Sequence, residues 1–186
     1  IDNWSCEKAN PIIVHSNDMK NSLVSRNGTK NLKIEIINNF SIPTVEINES
    51  IPNINFNSDK NKLTIIFAGN LGRYQSLDKI TDAMICLKER KDIKLVFVGD
   101  GSIKEELKFK IQKNKANIQL FDQQSVTVVK KMIERADIGL VSLSANIYKY
   151  GYPSKIMTYL EQGKPIIALL EKESEIAKFI EMENCG

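Results

Sequence analysis

Three short segments combine glycine, hydroxyl and cationic residues in a way that suits an anion: Gly69-Asn70-Leu71-Gly72-Arg73, Gly99-Asp100-Gly101-Ser102 and Pro153-Ser154-Lys155. In the first, the glycines let the backbone approach a ligand, the free amides of a helix expected near Gln75 favour negative charge, and Arg73 adds a forked donor. Phosphate fits that set; the alternative is a tight strand-to-helix turn with Arg73 in water. The second segment lacks the third glycine of the dinucleotide fingerprint and an acidic residue for the ribose, which argues against NAD. Ser102, with Glu105 three residues later, reads there as a capping box. In the third, proline at a helix start, a hydroxyl and Lys155 again suit an anion, and Tyr148, Tyr150 and Tyr152 just before it could wall a pocket. Two such helix starts point to a diphosphate. Otherwise Tyr148 and Tyr152 cover a core edge and Lys155 is a surface charge.

Other chemistries find no residues to carry them. Cys6, Cys86 and Cys185 form no CxxC pair, and His15 is the one histidine, so neither a zinc site, nor a disulfide framework, nor a nucleophile with its base can be assembled. The 186 residues are 42% apolar and 26% charged with a net charge of +3, the profile of an ordinary soluble domain. Lysines are scattered, so no nucleic-acid partner is implied. With no run of 18 apolar residues and no leader pattern, the expected location is cytoplasmic. Because the chain opens at Ile1 and stops just after a helical pattern, we expect a piece of a longer protein.

The elements that must position these loops are legible from Asn61 onward. Short β-branched runs, Leu63 to Ala68, Lys94 to Val98, Asn117 to Phe121, Ile138 to Leu143 and Pro165 to Leu170, alternate with one-sided apolar stripes such as Leu77, Ile80, Met84 and Leu87. Ile103, Leu107 and Ile111 make a second stripe, and Val126, Val129, Ile133 and Ala136 a third. Strands apolar on both faces and joined by helices predict an α/β fold, a Rossmann-like doubly wound parallel sheet with ligands at the carboxyl ends of the strands. Before it, Pro11 to Val14, a helix opening at Ser16 or Asn17, and Leu32 to Ile37 predict a small strand, helix, strand unit. The stretch from Ser41 to Asn61 reads as a linker, and 13 of 18 asparagines fall in the first 61 residues.

In order, Ile65-Ile66-Phe67-Ala68-Gly69-Asn70-Leu71-Gly72, Gln75-Ser76-Leu77, Val96-Phe97-Val98-Gly99-Asp100-Gly101, Ala136-Asp137-Ile138-Gly139-Leu140-Val141, Pro153-Ser154-Lys155 and Gly163-Lys164-Pro165-Ile166-Ile167-Ala168 resemble the carboxy-terminal half of bacterial family 4 glycosyltransferases. The resemblance implies the GT-B architecture, with residues 1–57 a remnant of the amino-terminal acceptor domain and linker, and 58–186 a nucleotide-sugar-binding domain cut short at its carboxyl end. It implies retaining, metal-independent sugar transfer from a UDP-sugar or other nucleoside-diphosphate sugar, with no cofactor. The subgroup it looks closest to builds capsule, exopolysaccharide or O-antigen units on a lipid-linked acceptor at the inner face of the cell membrane, where the enzyme is peripheral. Partners would then be the nucleotide sugar, the missing amino-terminal domain and that acceptor, and this chain alone would transfer no sugar.

By the same resemblance the diphosphate falls to Gly69, Asn70, Leu71, Gly72, Arg73, Pro153, Ser154 and Lys155, and the ribose and base to Phe121, Asp122, Gln123 and Thr158, with no catalytic residue assigned. Two departures stand out. The family's basic pair in the first loop falls on Asn70 and Gln75, and its glutamate pair falls on Tyr150 and Thr158. A non-catalytic sugar-nucleotide-binding or interaction module is the alternative these losses suggest.

Overall fold

The computed structural model describes residues 2–26, 32–41, 43 and 62–186. The linker expected over 41–61 therefore lies, apart from Ser41 and Pro43, outside the described residues, as does the domain boundary expected at 57.

Five parallel strands, β3 (Leu63–Ala68), β4 (Ile93–Val98), β5 (Ile118–Phe121), β6 (Ile138–Ser142) and β7 (Ile166–Leu169), form one sheet in the order β5-β4-β3-β6-β7. The chain starts in the middle, winds to one edge, then crosses back to build the other side, so its switch point lies between β3 and β6. Alternation along each strand sorts the core into two layers. Ile66, Ala68, Val96, Val98 and Val141 face helices α5 (Val126–Arg135), α6 (Lys155–Glu161) and α7 (Glu175–Met182). Phe67, Leu95, Phe97 and Leu140 face α3 (Leu77–Cys86) and α4 (Lys104–Asn114), with the Phe67 and Phe97 rings edge to face at 6.0 Å. The apolar stripes read in the sequence meet the sheet except at Leu87 and Val126, which are exposed at the ends of their helices, and the doubly wound α/β architecture is as predicted.

Local details differ. Ser102 is exposed and makes no cap, because Ile103, at the N-cap position just before α4, is buried and gives its N–H to Leu71 O at 3.1 Å. Burial of Ile103 sets the entry angle instead. The first loop does not run straight into a helix either: a 3₁₀ turn at Arg73–Gln75 and a left-handed Ser76 (φ 48°) intervene before α3.

The small amino-terminal unit comprises α1 (Asp2–Lys8), β1 (Ile12–Val14), α2 (Asn17–Val24) and β2 (Ile34–Ile36), with β1 and β2 parallel and Ser16 capping α2. It is fastened to the larger sheet through two helix starts that exchange acids. Asn17 N–H donates to the Glu175 carboxylate at 2.5 Å, and Glu175 N–H donates to the Asp18 carboxylate at 2.7 Å. Each positive helix end thereby meets a negative side chain from the other.

Candidate functional site

The site begins where the sheet fails to close. β3 and β6 are in register at Ile65↔Ile138 and Ile66↔Gly139, and beyond that point the Tyr159 hydroxyl, its ring lying over Gly139, bridges them. Gly139 makes the room, since a Cβ there would sit 2.4 Å from Tyr159 Cγ. The fully buried Tyr159 hydroxyl accepts from Ala68 N–H at 3.1 Å and shares its proton between Ile66 O (3.2 Å) and Leu140 O (3.3 Å). Burial pushes its pKa upward, so the hydroxyl stays a donor. Above this wedge the strands part.

The loops after β3 and β4 lock together. Gly69 N–H donates to Val98 O at 2.9 Å and Leu71 N–H to Asp100 O at 2.8 Å. Gly99, at φ +149°, lies against Gly69 so closely that a Cβ would fall 1.9 Å from Gly69 O. Leu71 points into the core with no exposure, whereas Gly69 and Asn70 face outward. Most of the second loop's glycine chemistry is thus spent on packing one loop against the next.

Lys155 reaches into the gap from the first residue of α6. Its ammonium sits 4.2 Å from the centre of the Phe67 ring and 3.3 Å from Gln75 Oε1, and its Cε would be 3.4 Å from a Cβ on Gly69. Among the described residues it forms no ion pair, and burial pulls its pKa down from 10.5 to about 8. The surface-charge alternative for Lys155 therefore fails. A half-buried cation on an aromatic face, with an amide oxygen as its polar neighbour, is prepared for an anion.

A cavity of about 510 Å³ opens beside it, lined among others by Gly69, Asn70, Ser154, Lys155, Gln123 and Thr158. These six sequence-predicted residues come together from four separate loops and helices. The other six do not line it. Leu71 and Gly72 are buried in the turn, Arg73 is exposed on the 3₁₀ turn, and Pro153 stands outside, its carbonyl accepting from Ile156 N–H. Phe121 packs on the core, and Asp122 turns away to Lys104 at 2.8 Å, which lowers the Asp122 pKa. No tyrosine of the third loop walls the cavity: Tyr148 and Tyr152 cover the core edge, and Tyr150 is exposed, its ring 5.9 Å from Arg26.

Against known proteins, residues 50–176 match the family model described as glycosyl transferases group 1. The chain belongs to this family. It is 30% identical over 139 residues, 74% of the chain, to the probable glycosyltransferase WbjE of Pseudomonas aeruginosa, and spans 34% of that protein's length. The solved structure of WaaG, a glycosyltransferase involved in lipopolysaccharide biosynthesis, superposes with a TM-score of 0.69 at 16% identity, over 94% of this chain and 47% of that one. Anabaena Alr3699/HepE, solved in complex with UDP and glucose, superposes at 0.68 and 14% identity, over 96% of this chain and 48% of that one. These likenesses place the α/β sheet among glycosyltransferase folds.

Within this group 1 glycosyltransferase chain, two further residues lining the cavity, Lys130 and Phe40, were not flagged by the sequence. Lys130 lines it from α5, with its ammonium 2.7 Å from Glu161, and that contact, with a second hydrogen bond from Ser41, holds the Glu161 carboxyl below its usual range. Helical spacing carried a signal for Lys130, which stands one turn after Val126 on the face that also presents Val129 and Ile133 to the cavity. Phe40, from the segment after β2, is the second. An isolated phenylalanine among asparagines gave no such signal. Among the described residues no cluster of three or more His, Cys, Asp or Glu could hold a metal ion, and no helix is long and apolar enough to cross a membrane.

Proposed function

We propose that this chain is the donor-binding part of a retaining glycosyltransferase that moves a sugar from a nucleoside-diphosphate donor, a UDP-sugar in the first instance, to a lipid-linked or polysaccharide acceptor. The observation that carries the reading is Lys155: a half-buried ammonium without an ion-pair partner among the described residues, held at the switch point where the cavity opens. Transfer breaks the bond between the sugar carbon and the diphosphate oxygen, and the electron pair stays with the diphosphate. The acceptor hydroxyl forms the new bond on the same face of the sugar, and its proton leaves. A pre-placed cation at the diphosphate stabilises the charge that develops, without a metal.

The proposed diphosphate contacts narrow to Gly69, Asn70, Ser154 and Lys155, with Gln123 and Thr158 toward the base and ribose. Acceptor contacts would come from the amino-terminal domain of the same enzyme, of which residues 1–57 are the remnant, and the enzyme would work in the cytoplasm at the inner membrane face. Titration calorimetry with UDP, GDP and NAD tests the reading. Binding of UDP or GDP and not NAD is expected, and binding of NAD alone overturns it. Tyr150 and Thr158, at the positions of the family's glutamates, favour a second reading in which the site binds donor and transfers nothing. UDP binding by an intact enzyme that releases no sugar to any acceptor or to water would select it.

A further inference from the structure

The segment after β2 passes over the mouth of the cavity and is pinned on both sides of one aromatic residue. Asn39 donates from its side-chain amide to Tyr152 O at 3.1 Å, and Ser41 donates from its hydroxyl to the Glu161 carboxylate. Glu161 is in turn held 2.7 Å from the Lys130 ammonium on α5. Phe40, fixed between these two anchors, is 75% exposed, yet its side chain lines the same cavity as Val126, Val129 and Ile133. A large apolar ring held open to water by its neighbours' hydrogen bonds is poorly satisfied until something planar covers it.

We propose that Phe40 stacks on the nucleobase of the bound nucleoside diphosphate, so that the segment following β2 contributes a wall of the donor site. The inference rests on reading the cavity as a nucleotide-sugar site and adds the group that holds the base. The cavity has two chemical ends. Lys155, Gly69 and Ser154, from the loop after β3 and the start of α6, make a cationic, amide-rich end, whereas Phe40, Val126, Val129 and Ile133, from the segment after β2 and from α5, make a largely apolar one in which Lys130 is held by Glu161, and the amides of Gln123 and Gln124 also line the cavity. A nucleoside diphosphate has the same polarity along its length, a doubly charged diphosphate and then a base with apolar faces and a hydrogen-bonding edge. With the diphosphate at Lys155, the base falls at the apolar end. Stacking tolerates any base, so Phe40 supplies affinity, and the choice among bases is left to the amide side chains that meet the edge.

Calorimetry on the chain with two probes, UDP and inorganic pyrophosphate, tests the assignment. Phe40→Ala should weaken UDP by about tenfold, the usual worth of one base-aromatic contact, and leave pyrophosphate within about twofold, because pyrophosphate has no base to stack. Phe40→Tyr, which keeps the ring, should restore UDP binding. Because Phe40 is exposed, thermal melting should be the same for all three proteins. Unchanged UDP affinity in Phe40→Ala, or equal losses of UDP and pyrophosphate, would overturn the stacking role. Failure of the unsubstituted chain to bind UDP at all would instead overturn the site reading on which it rests.

Discussion

Replacing Lys155 with methionine should make the protein more stable and less able to bind UDP, a combination that a structural or solvated lysine does not produce. Lowering a lysine pKa from 10.5 to about 8 corresponds to roughly 3 kcal/mol of unfavourable charge burial at neutral pH. The Phe67 ring at 4.2 Å and the Gln75 amide at 3.3 Å offset part of it, about 1 kcal/mol between them. Methionine keeps the length and loses the charge, so Lys155→Met should gain about 1 to 2 kcal/mol at pH 7, a rise in Tm of about 3 to 6 °C for a chain of this size. The pH dependence follows from the sign of the shift. The folded pKa lies below the unfolded one, so between about 8 and 10.5 the unfolded chain holds more protons and native stability rises with pH. The advantage of Lys155→Met should therefore shrink across that window. UDP affinity should fall by about tenfold to a hundredfold in the variant at pH 7, the loss of one hydrogen bond to a charged group. In the unsubstituted chain UDP affinity should decline above pH 8 as Lys155 gives up its proton. Scanning calorimetry and UDP titration over pH 6.5 to 10 read both effects, and a lower Tm or an unchanged UDP affinity in Lys155→Met would refute the reasoning.

Three further outcomes follow from the geometry. Gly99→Ala must displace Gly69 O, 1.9 Å from the new Cβ, and should cost about 2 to 4 kcal/mol by chemical denaturation while weakening UDP through the shifted first loop. Tyr159→Phe removes the hydroxyl that serves Ala68 N–H, Ile66 O and Leu140 O; about 1 to 3 kcal/mol of stability should be lost, and a cost below about 0.5 kcal/mol would mean that water reaches those groups. Thr158→Glu places a carboxylate on the cavity wall and should tighten UDP by about 1 to 2 kcal/mol without tightening 2′,3′-dideoxy-UDP, whereas weaker UDP binding would show that Thr158 does not face the ribose.

How much of this was legible beforehand depends on whether the signal is local. The strands and helices of the larger sheet were readable because each buries one repeated face, and burial writes its period into the sequence. Loop conformation was not. Ser102 and Glu105 carry the right types for a capping box, but the helix entry is governed by Ile103 packing and by Leu71 O across the loop, a partner more than thirty positions away. Arg73 and Lys155 looked alike as cations beside glycine or hydroxyl residues. Arg73 is exposed on its 3₁₀ turn, whereas Lys155 is drawn in against the Phe67 ring and the Gln75 amide, partners some eighty positions away that the local sequence does not reveal. Phe40 was invisible for the same reason: its place depends on Tyr152 and Glu161, both far along the chain.

The spacing on α6 gains its meaning only after the fold is known. Lys155, Thr158 and Tyr159 stand at i, i+3 and i+4, so a helix of seven residues presents all three on one face. Tyr159 fills the space where β3 and β6 part, and the glycine at position 139 that admits it also fixes how deep α6 sits. One turn earlier the same face delivers the Lys155 ammonium to the Phe67 ring and the Gly69 backbone, and Thr158 to the cavity wall. A rotation of α6 that moved Lys155 out of the gap would drag the Tyr159 ring off Gly139 and strip three buried backbone groups of their partner. The core tyrosine is thus a positioning residue for the cation, while the loop after β6 supports the site's rim, through Ser144 on the 3₁₀ turn and through the Tyr152 carbonyl that holds Asn39.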